Sequence, residues 1–315
     1  MNPLVVIVGP TAVGKSALAV DLAQRVDGEI ISGDSVQIYR HLNIGSAKPT
    51  VAEQKNIPHH LMDILDPAEP FSVAQFQTLA KQTINEIRTR RNVPIVVGGT
   101  GLYIRSVLDP FSFPQGGGTT LLKQKWLDMA KLQGNDVLYR ILQSKDSVTA
   151  ARLHPNDTAR IVRALEVMDL SGQPLSAQRQ MNDFQYFPLG DDVIYIGLTA
   201  PREILYARID RRCEIMFKEG LVEEVLSLLR DKYSPHLKPL QSIGYRHAIW
   251  FVRGLLTSWE LERLLKRDTR RFAKRQLTWF RRDPRLYWYD ISQISWDSLV
   301  AEVITTCRAR QTRVK

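Results

Sequence analysis

Five consecutive apolar residues, "LVVIV" from Leu4 to Val8, stand almost at the start of the chain and stop at Gly9. A run that short, apolar at every position and closed by glycine, predicts a strand buried on both faces, as in a parallel sheet. The signature recurs in "GEIISGDS", in "VPIVVGG" and in "VIYIGLTA" near residue 195, and "HHLMDIL" predicts one more strand. Between these runs the spacing changes to that of helices. "SALAVDLAQRV" and "SVAQFQTLAKQTINEIRTRR" each put their apolar residues on one helical face, and Ser72 is placed to cap the second. Buried strands alternating with amphipathic helices predict an α/β fold on a parallel sheet. The alternation breaks at "PFSFPQGGGTT", residues 110–120, where three successive glycines predict a hinge or loop. From there to about residue 190 the chain is polar and helical, without a buried strand. The expected organisation is an α/β core over 1–114 and 191–315, interrupted by a mainly helical insertion over 115–190. After residue 200 only helices are expected, and no internal repeat occurs.

Composition narrows the class. The chain has 315 residues, 44% of them hydrophobic and 24% charged, ordinary values for a globular protein with one or two domains. No apolar run reaches the length of a membrane helix, and the N-terminus lacks a basic start or cleavage pattern, so no membrane partner is expected. Cys213 and Cys307 are the two cysteines, far apart, which excludes a disulfide scaffold or zinc ribbon and fits a reducing cytoplasm. The net charge is +10, and its distribution is uneven. Arg263 to Arg285 holds ten cations against Asp268 and Asp283. On a helical wheel Leu261, Leu265, Phe272, Trp279 and Phe280 share one side. Arg263, Arg267, Arg270, Arg271, Lys274, Arg275, Arg281 and Arg282 lie largely opposite. The aromatic residues are expected in the core and the cations against a polyanion such as nucleic acid, the plain alternative being a solvated helix face.

The most specific motif follows the first strand. "GPTAVGKS" satisfies G-x-x-x-x-G-K-[ST] through Gly9, Gly14, Lys15 and Ser16, with strand before and helix after. Its residues Gly9, Pro10, Thr11, Ala12, Val13, Gly14, Lys15 and Ser16 are the expected phosphate cradle. Glycines let backbone N–H groups turn inward as an anion nest, and the helix adds its positive end. Lys15 adds a full charge, and the Ser16 hydroxyl is placed to ligate Mg²⁺. A nucleotide hydrolase also carries an apolar strand ending in Asp. Here "PIVVGG" ends in glycine, and the acid instead closes "IISGDS" as Asp34. A strand-end carboxylate beside the loop sits in the ligand crevice of such sheets, as a general base or a ligand to magnesium-bound water. The plain alternative is a turn former.

The ordered series "GPTAVGKS", "GDSVQIYRHLNIGSAKP", "IPHHLMDILDP", "VGGTGLYIRSVL", "LHPNDTARIVRALEV", "GLVEEV" and "SIGYRHA" resembles the tRNA dimethylallyltransferase family, from about residue 3 to 285. The resemblance implies a sheet of phosphate-loop type and a Mg²⁺-dependent prenyl transfer. The donor is dimethylallyl diphosphate, and the acceptor is N6 of the adenine on the 3′ side of the anticodon in tRNAs reading codons that start with U. It implies that the loop holds the diphosphate and that Asp34 is the general base. Ser35, Val36 and Gln37 are implied in the nucleotide pocket and Thr100 at the tRNA or the diphosphate. Arg208 is implied to steady the leaving group. Further tRNA contacts are expected from Arg160 and Arg163 in the insertion, from Gly244, Tyr245 and Arg246 in "SIGYRHA", and from Arg270 and Lys274. The insertion is expected to hold the anticodon stem-loop, and the protein to be a monomer. The glycine-rich linker departs from the family pattern, and no cysteine–histidine module follows residue 285, so a chain of bacterial type is expected. An adenylate isopentenyltransferase, a small-molecule kinase and a nucleic-acid-binding protein with a vestigial loop are the alternatives. The long insertion and basic helix count against the first, the glycine-ended strand against the second, and intact Lys15 and Ser16 against the third. Nucleotide binding at the loop, ATP included, stays open.

Overall fold

A computed structural model describes residues 2–111, 120–178 and 186–313. The chain divides into two compact units, Met1–Asp109 with Tyr186–Lys315, and Pro110–Gln185. The second unit thus begins and ends five residues before the expected 115–190. The glycines of the expected hinge lie outside the described residues.

The first unit holds one six-stranded, all-parallel sheet. In chain order its strands are β1 (Leu4–Val8), β2 (Gly28–Ser32), β3 (His59–His60), β4 (Val93–Gly98), β5 (Val193–Thr199) and β6 (Tyr287–Asp290), and across the sheet they run β3-β2-β4-β1-β5-β6. β1 is central, with Val8 level with Gly98 of β4 and with Gly197 of β5. All five of its residues are buried, which is why the run carries no polar residue. The chain fills the crossovers with α1 (Lys15–Val26), α2 (Val51–Gln54), α3 (Val73–Thr89) and α4 (Gly101–Leu108). Ser72 caps α3 as expected, in a reciprocal box with Gln75.

The second unit is helical in its described residues: α5 (Thr120–Gln133), α6 (Asn135–Lys145), α7 (Ser147–Ala150), α8 (Thr158–Ser171) and α9 (Leu175–Gln178). Trp126, Leu138, Leu142, Ile161 and Leu165 form its own core. The chain then re-enters the first unit through β5 and continues as α10 (Arg202–Lys218), α11 (Leu221–Arg230), α12 (Tyr245–Val252), α13 (Ser258–Phe280), β6 and α14 (Trp296–Arg313). α14 packs against α1, and Trp296 Nε1 donates to Asp21 at 2.7 Å.

Three expectations need correction. A strand does follow residue 200. β6, "YWYD", is a four-residue edge strand with exposed or half-buried side chains, so it shows no apolar run. "HHLMDIL" contributes only His59–His60 as strand, because Leu61 and Asp63 turn to positive φ directly afterwards. On α13 the inner face is not purely apolar. Asp268 and Gln276 are buried with Leu261, Leu265, Ala273 and Phe280, while Phe272 and Trp279 are half-buried.

Candidate active site

The site lies at the carboxyl ends of β1, β2 and β4, where open parallel sheets bind ligands. Past β1 the chain turns sharply, with Gly9 at φ 143° and Gly14 at φ 106°. A Cβ on Gly9 would stand 2.5 Å from the Leu198 carbonyl of β5, so only glycine lets the loop run this close to the sheet. Lys15 folds its ammonium end inward and donates to the Pro10 carbonyl at 2.7 Å. Burial there, followed by the charge of Arg212, pushes its pKa down to about 7, against the opposing pull of Asp34. Two cations and one carboxylate in so small a space leave the loop short of negative charge.

Arg212, on α10, donates to Thr11 Oγ1 at 3.1 Å and to the Ala47 carbonyl at 3.3 Å. Burial lowers its pKa too, with Asp34 pulling upward. Asp34 follows β2 in a turn, where its Oδ1 accepts from the N–H of Val36 at 2.8 Å and of Gln37 at 3.4 Å. The turn-forming role is therefore real, and among the described residues no hydrogen bond engages Oδ2. Thr100, at the start of α4, accepts from the Ser35 N–H at 3.2 Å. This bond ties the end of β4 to the turn that carries Asp34.

A cavity of about 310 Å³ joins these groups. Thr11, Asp34, Ser35, Thr100 and Arg212 form its polar wall. Met216 and Cys213 of α10, with Leu265 and Phe272 of α13, form an apolar wall. Burial pushes the Cys213 thiol up to about 11, so it lines the cavity as an inert group. A neighbouring cavity of about 280 Å³ is lined by Ser16, Asp21, Glu53 and Lys55, and Ala47 and Arg212 border both spaces.

The expected site residues separate into distinct roles. Asp34, Ser35, Val36, Thr100, Arg246 and Thr11 line the main cavity. Gln37 does not. It donates to the carbonyls of Ser46 at 3.3 Å and Ala47 at 3.2 Å, and so fixes the neighbouring loop. Arg208 reaches the Val13 carbonyl of the phosphate loop at 3.4 Å but does not line this cavity, whereas Arg212, one helical turn on, does. Gly244 and Tyr245 are displaced from the role of tRNA contacts. Tyr245 is fully buried and donates to Glu224 at 2.5 Å, and Gly244 packs on the carbonyl of Gly45. Arg246 donates to Asp268 at 2.8 Å.

Arg270 also departs from expectation. Its guanidinium is paired with Asp210, at 2.9 Å through Nε, and stacks over the Tyr206 ring. Lys274 stays exposed on the outer face of α13. Acids neutralise part of the basic cluster, since Lys266 meets Glu214 and Glu262, Arg267 meets Asp268, and Arg285 meets Asp109 and Asp283. Arg160 and Arg163 of the second unit pair along their own helix with Asp157 at 2.9 Å and Glu166 at 2.8 Å.

Three residues went unanticipated: Arg212, Gln276 and Glu224. Glu224 accepts from the backbone N–H of Asn43, Ile44 and Gly45 at 2.9–3.2 Å and so shapes the loop bordering both cavities. Its only signal in the sequence is its place in "GLVEEV". As for a metal, no group of three or more His, Cys, Asp or Glu close enough to share an ion occurs among the described residues. A phosphate-loop magnesium needs no such cage, because one hydroxyl, waters and the ligand's own phosphate oxygens complete its shell. The exposed Ser16 hydroxyl at the first turn of α1 fits that donor set.

Fold and site together define a phosphate-loop α/β protein that joins an anion cradle, a strand-end carboxylate and an apolar wall in one cavity. The sequence profile of the family described as IPP transferase matches residues 37–283, and that of isopentenyl transferase matches residues 2–63. A "tRNA dimethylallyltransferase" of Desulfitobacterium hafniense is 58% identical over 315 residues, covering the whole of both chains. One from Carboxydothermus hydrogenoformans is 45% identical, covering 96% of each. The solved full-length tRNA isopentenylpyrophosphate transferase of Bacillus halodurans superposes with a TM-score of 0.72 at 39% identity, covering 99% of both chains. A eukaryotic dimethylallyltransferase solved acting on tRNA gives 0.77 at 29% identity, over 96% of this chain and 78% of that one. The chain belongs to the tRNA dimethylallyltransferase family.

Proposed function

We propose that this enzyme transfers the dimethylallyl group of dimethylallyl diphosphate to N6 of the adenine on the 3′ side of the anticodon, in tRNAs that read codons starting with U. The observation that carries the proposal is the single cavity with Thr11 and Arg212 at the phosphate loop, Asp34 and Thr100 beside them, and an apolar wall from α10 and α13. A five-carbon chain with a diphosphate head matches that division of polar and apolar surface.

The reaction forms a bond from N6 to the first allylic carbon and breaks that carbon's bond to the diphosphate oxygen. The amine is a weak nucleophile, since its lone pair is delocalised into the ring. The free oxygen of Asp34 accepts a hydrogen bond from the amine and takes its proton as the new bond forms. Negative charge gathers on the departing diphosphate, where Lys15, Arg212 and the loop N–H groups meet it. Mg²⁺ is proposed as the cofactor; the Ser16 hydroxyl would help hold it, and it would supply further positive charge to the leaving group. Leu265, Phe272 and Met216 keep water from the allylic carbon, which would otherwise form the alcohol. The target base leaves its stack to enter the cavity. The exposed cations of α13, Lys274 among them, hold the RNA backbone without reading sequence. A monomer working in the cytoplasm completes the proposal.

The test is a transfer assay with labelled dimethylallyl diphosphate, unmodified tRNA and AMP in parallel. Label is expected in tRNA and not in AMP. Label in AMP alone would overturn the proposal in favour of an adenylate isopentenyltransferase. Asp34→Ala is expected to abolish transfer with diphosphate binding intact, and near-normal turnover would remove the general base from the mechanism.

A further inference from the structure

α13 has two working sides. Its outer face carries exposed Lys274, and its inner face carries Gln276, which is only 6% exposed. The Gln276 side chain makes two hydrogen bonds, and neither stays within its own helix. Its Oε1 accepts from the N–H of Thr11, in the phosphate loop, at 2.8 Å. Its Nε2 donates to the carbonyl of Gly99, just past β4, at 3.0 Å. One partner is a donor and the other an acceptor, so the pair fixes the orientation of the amide.

The sequence past β4 is shaped to receive this helix. A Cβ on Gly99 would stand 2.1 Å from Gln276 Nε2, and one on Gly101 would stand 2.1 Å from Trp279 Nε1. The glycines of "GGTGL" are therefore the seat of α13. From Gly99 the path continues through one residue. Thr100 accepts from the N–H of Ser35, beside Asp34.

We propose that Gln276 is the positioning residue that sets both halves of the reaction from the nucleic-acid-facing helix. Through Thr11 it places the loop that holds the donor. Through Gly99 and Thr100 it places the turn that carries the base. A side chain bonded to only one of these loops would leave the distance between donor and base to be set by packing alone. The proposal rests on the transfer reading above and adds a role that touches neither substrate.

The test compares Gln276→Leu, which keeps the volume and loses both bonds, with Gln276→Glu, which keeps an acceptor facing Thr11. Transfer kinetics, stem-loop affinity and melting temperature are measured for each. Q276L is expected to lower kcat by about 100-fold, the loss typical of reacting groups misplaced by an ångström. KM for dimethylallyl diphosphate and stem-loop Kd should stay within threefold. Q276E is expected to recover at least tenfold of the lost kcat while melting no higher than Q276L. A purely structural role predicts the opposite order, with kcat following melting temperature, and that result overturns the proposal. A rise in KM with kcat unchanged overturns it equally. If Q276L does not fold, Q276E decides alone, since kcat must fall at least fivefold at unchanged KM. Wild-type protein that transfers nothing to tRNA refutes the transfer reading itself. Full wild-type transfer with unchanged kcat in the variants refutes only the role of Gln276.

Discussion

Binding of a diphosphate is expected to draw a proton onto Lys15. The free loop holds the lysine ammonium against the Pro10 carbonyl at 2.7 Å. Burial and Arg212 bring its pKa from an ordinary 10.5 down to about 7, with Asp34 opposing. A diphosphate places at least two negative charges beside that ammonium and returns its pKa toward the ordinary value or above. The sign follows from linkage. Below pH 7 Lys15 is already charged, and binding takes up no proton. Above pH 7 it is neutral in the free protein and charged in the complex, so each binding event takes up about one proton. Affinity then falls with a slope that approaches tenfold per pH unit, about 50-fold in all from pH 7 to pH 9. Calorimetric titration measures both quantities. The ligand is an unreactive diphosphate monoester, whose own last ionisation at about pH 6 is corrected for by titrating the ligand alone, at fixed free Mg²⁺. Two buffers of different ionisation enthalpy count the protons. Uptake is expected near 0.9 proton at pH 8 and is abolished by Lys15→Met. Affinity that stays flat from pH 7 to pH 9 would refute the reasoning, because it would mean the lysine carries its charge in the empty loop at no cost.

Three further outcomes follow from single contacts. Glu224→Ala strips the acceptor from three backbone N–H groups and from Tyr245 Oη. The cost is about 2–4 kcal/mol, a fall in melting temperature of roughly 5–10 °C with a raised KM for the donor, and an unchanged melt would dismiss the clamp. Glu29 is held down to about 2, first by its bonds to Arg90 and then by those to Asn92 and His60, against its burial. A depressed carboxyl contributes stability that is complete above the unfolded pKa near 4.5 and is lost as pH falls toward 2. Glu29→Gln should flatten the acid limb of the stability curve, and parallel limbs between pH 5 and pH 3 would show the pairing to be inert. Lys274→Glu should weaken stem-loop binding and reduce its logarithmic salt slope by about one, as read by filter binding. Arg270→Glu should instead lower the melting temperature, because it sets a second acid against Asp210. Equal salt slopes in Lys274→Glu and wild type would return the outer face of α13 to a merely solvated surface.

The parts of the fold legible in the sequence are those that short-range rules govern. β1 is buried on both faces, and its five apolar residues say so unaided. The phosphate loop declares itself because its glycines and lysine must be contiguous. Ser72 and Gln75 cap α3 through a four-residue pattern. β6 escapes because an edge strand with one partner needs no apolar run. The site divides along the same line. Asp34 and Thr100 stand at strand ends and could be placed. Arg208 and Arg212 lie one turn apart on α10, and only the packing of that helix decides which one turns to the cavity. Gly244, Tyr245 and Glu224 illustrate a further limit. They belong to distinctive motifs, yet they hold the loop of Asn43–Ala47 from behind, and a motif does not say whether it touches the ligand or supports what does. The pairing of Arg270 is equally hidden in the sequence, because its partner, Asp210, is sixty positions away.

The end of β4 explains why a phosphate loop here goes with alkyl transfer. A loop of this kind hands on a terminal phosphate when an acid closes the neighbouring strand and orders magnesium and water around it. In this chain Gly99 stands there, and the amide of Gln276 fills the space a side chain would need. An amide held by a loop N–H and by the carbonyl just past the strand is neutral, and supplies no carboxylate to order magnesium or take a proton from water. The carboxylate has moved to the end of β2, where it faces the cavity wall shared with Met216 and Phe272. The cradle is thus left with charge stabilisation alone, the requirement for releasing a diphosphate from carbon. Restoring an acid past β4, as Gly99→Asp, should not create a hydrolase. The new side chain would strike Gln276, unseat α13 from "GGTGL", and lower both melting temperature and transfer rate, as thermal melts and the labelled assay would show. Nucleoside triphosphate hydrolysis gained by that variant would contradict this account of the strand end.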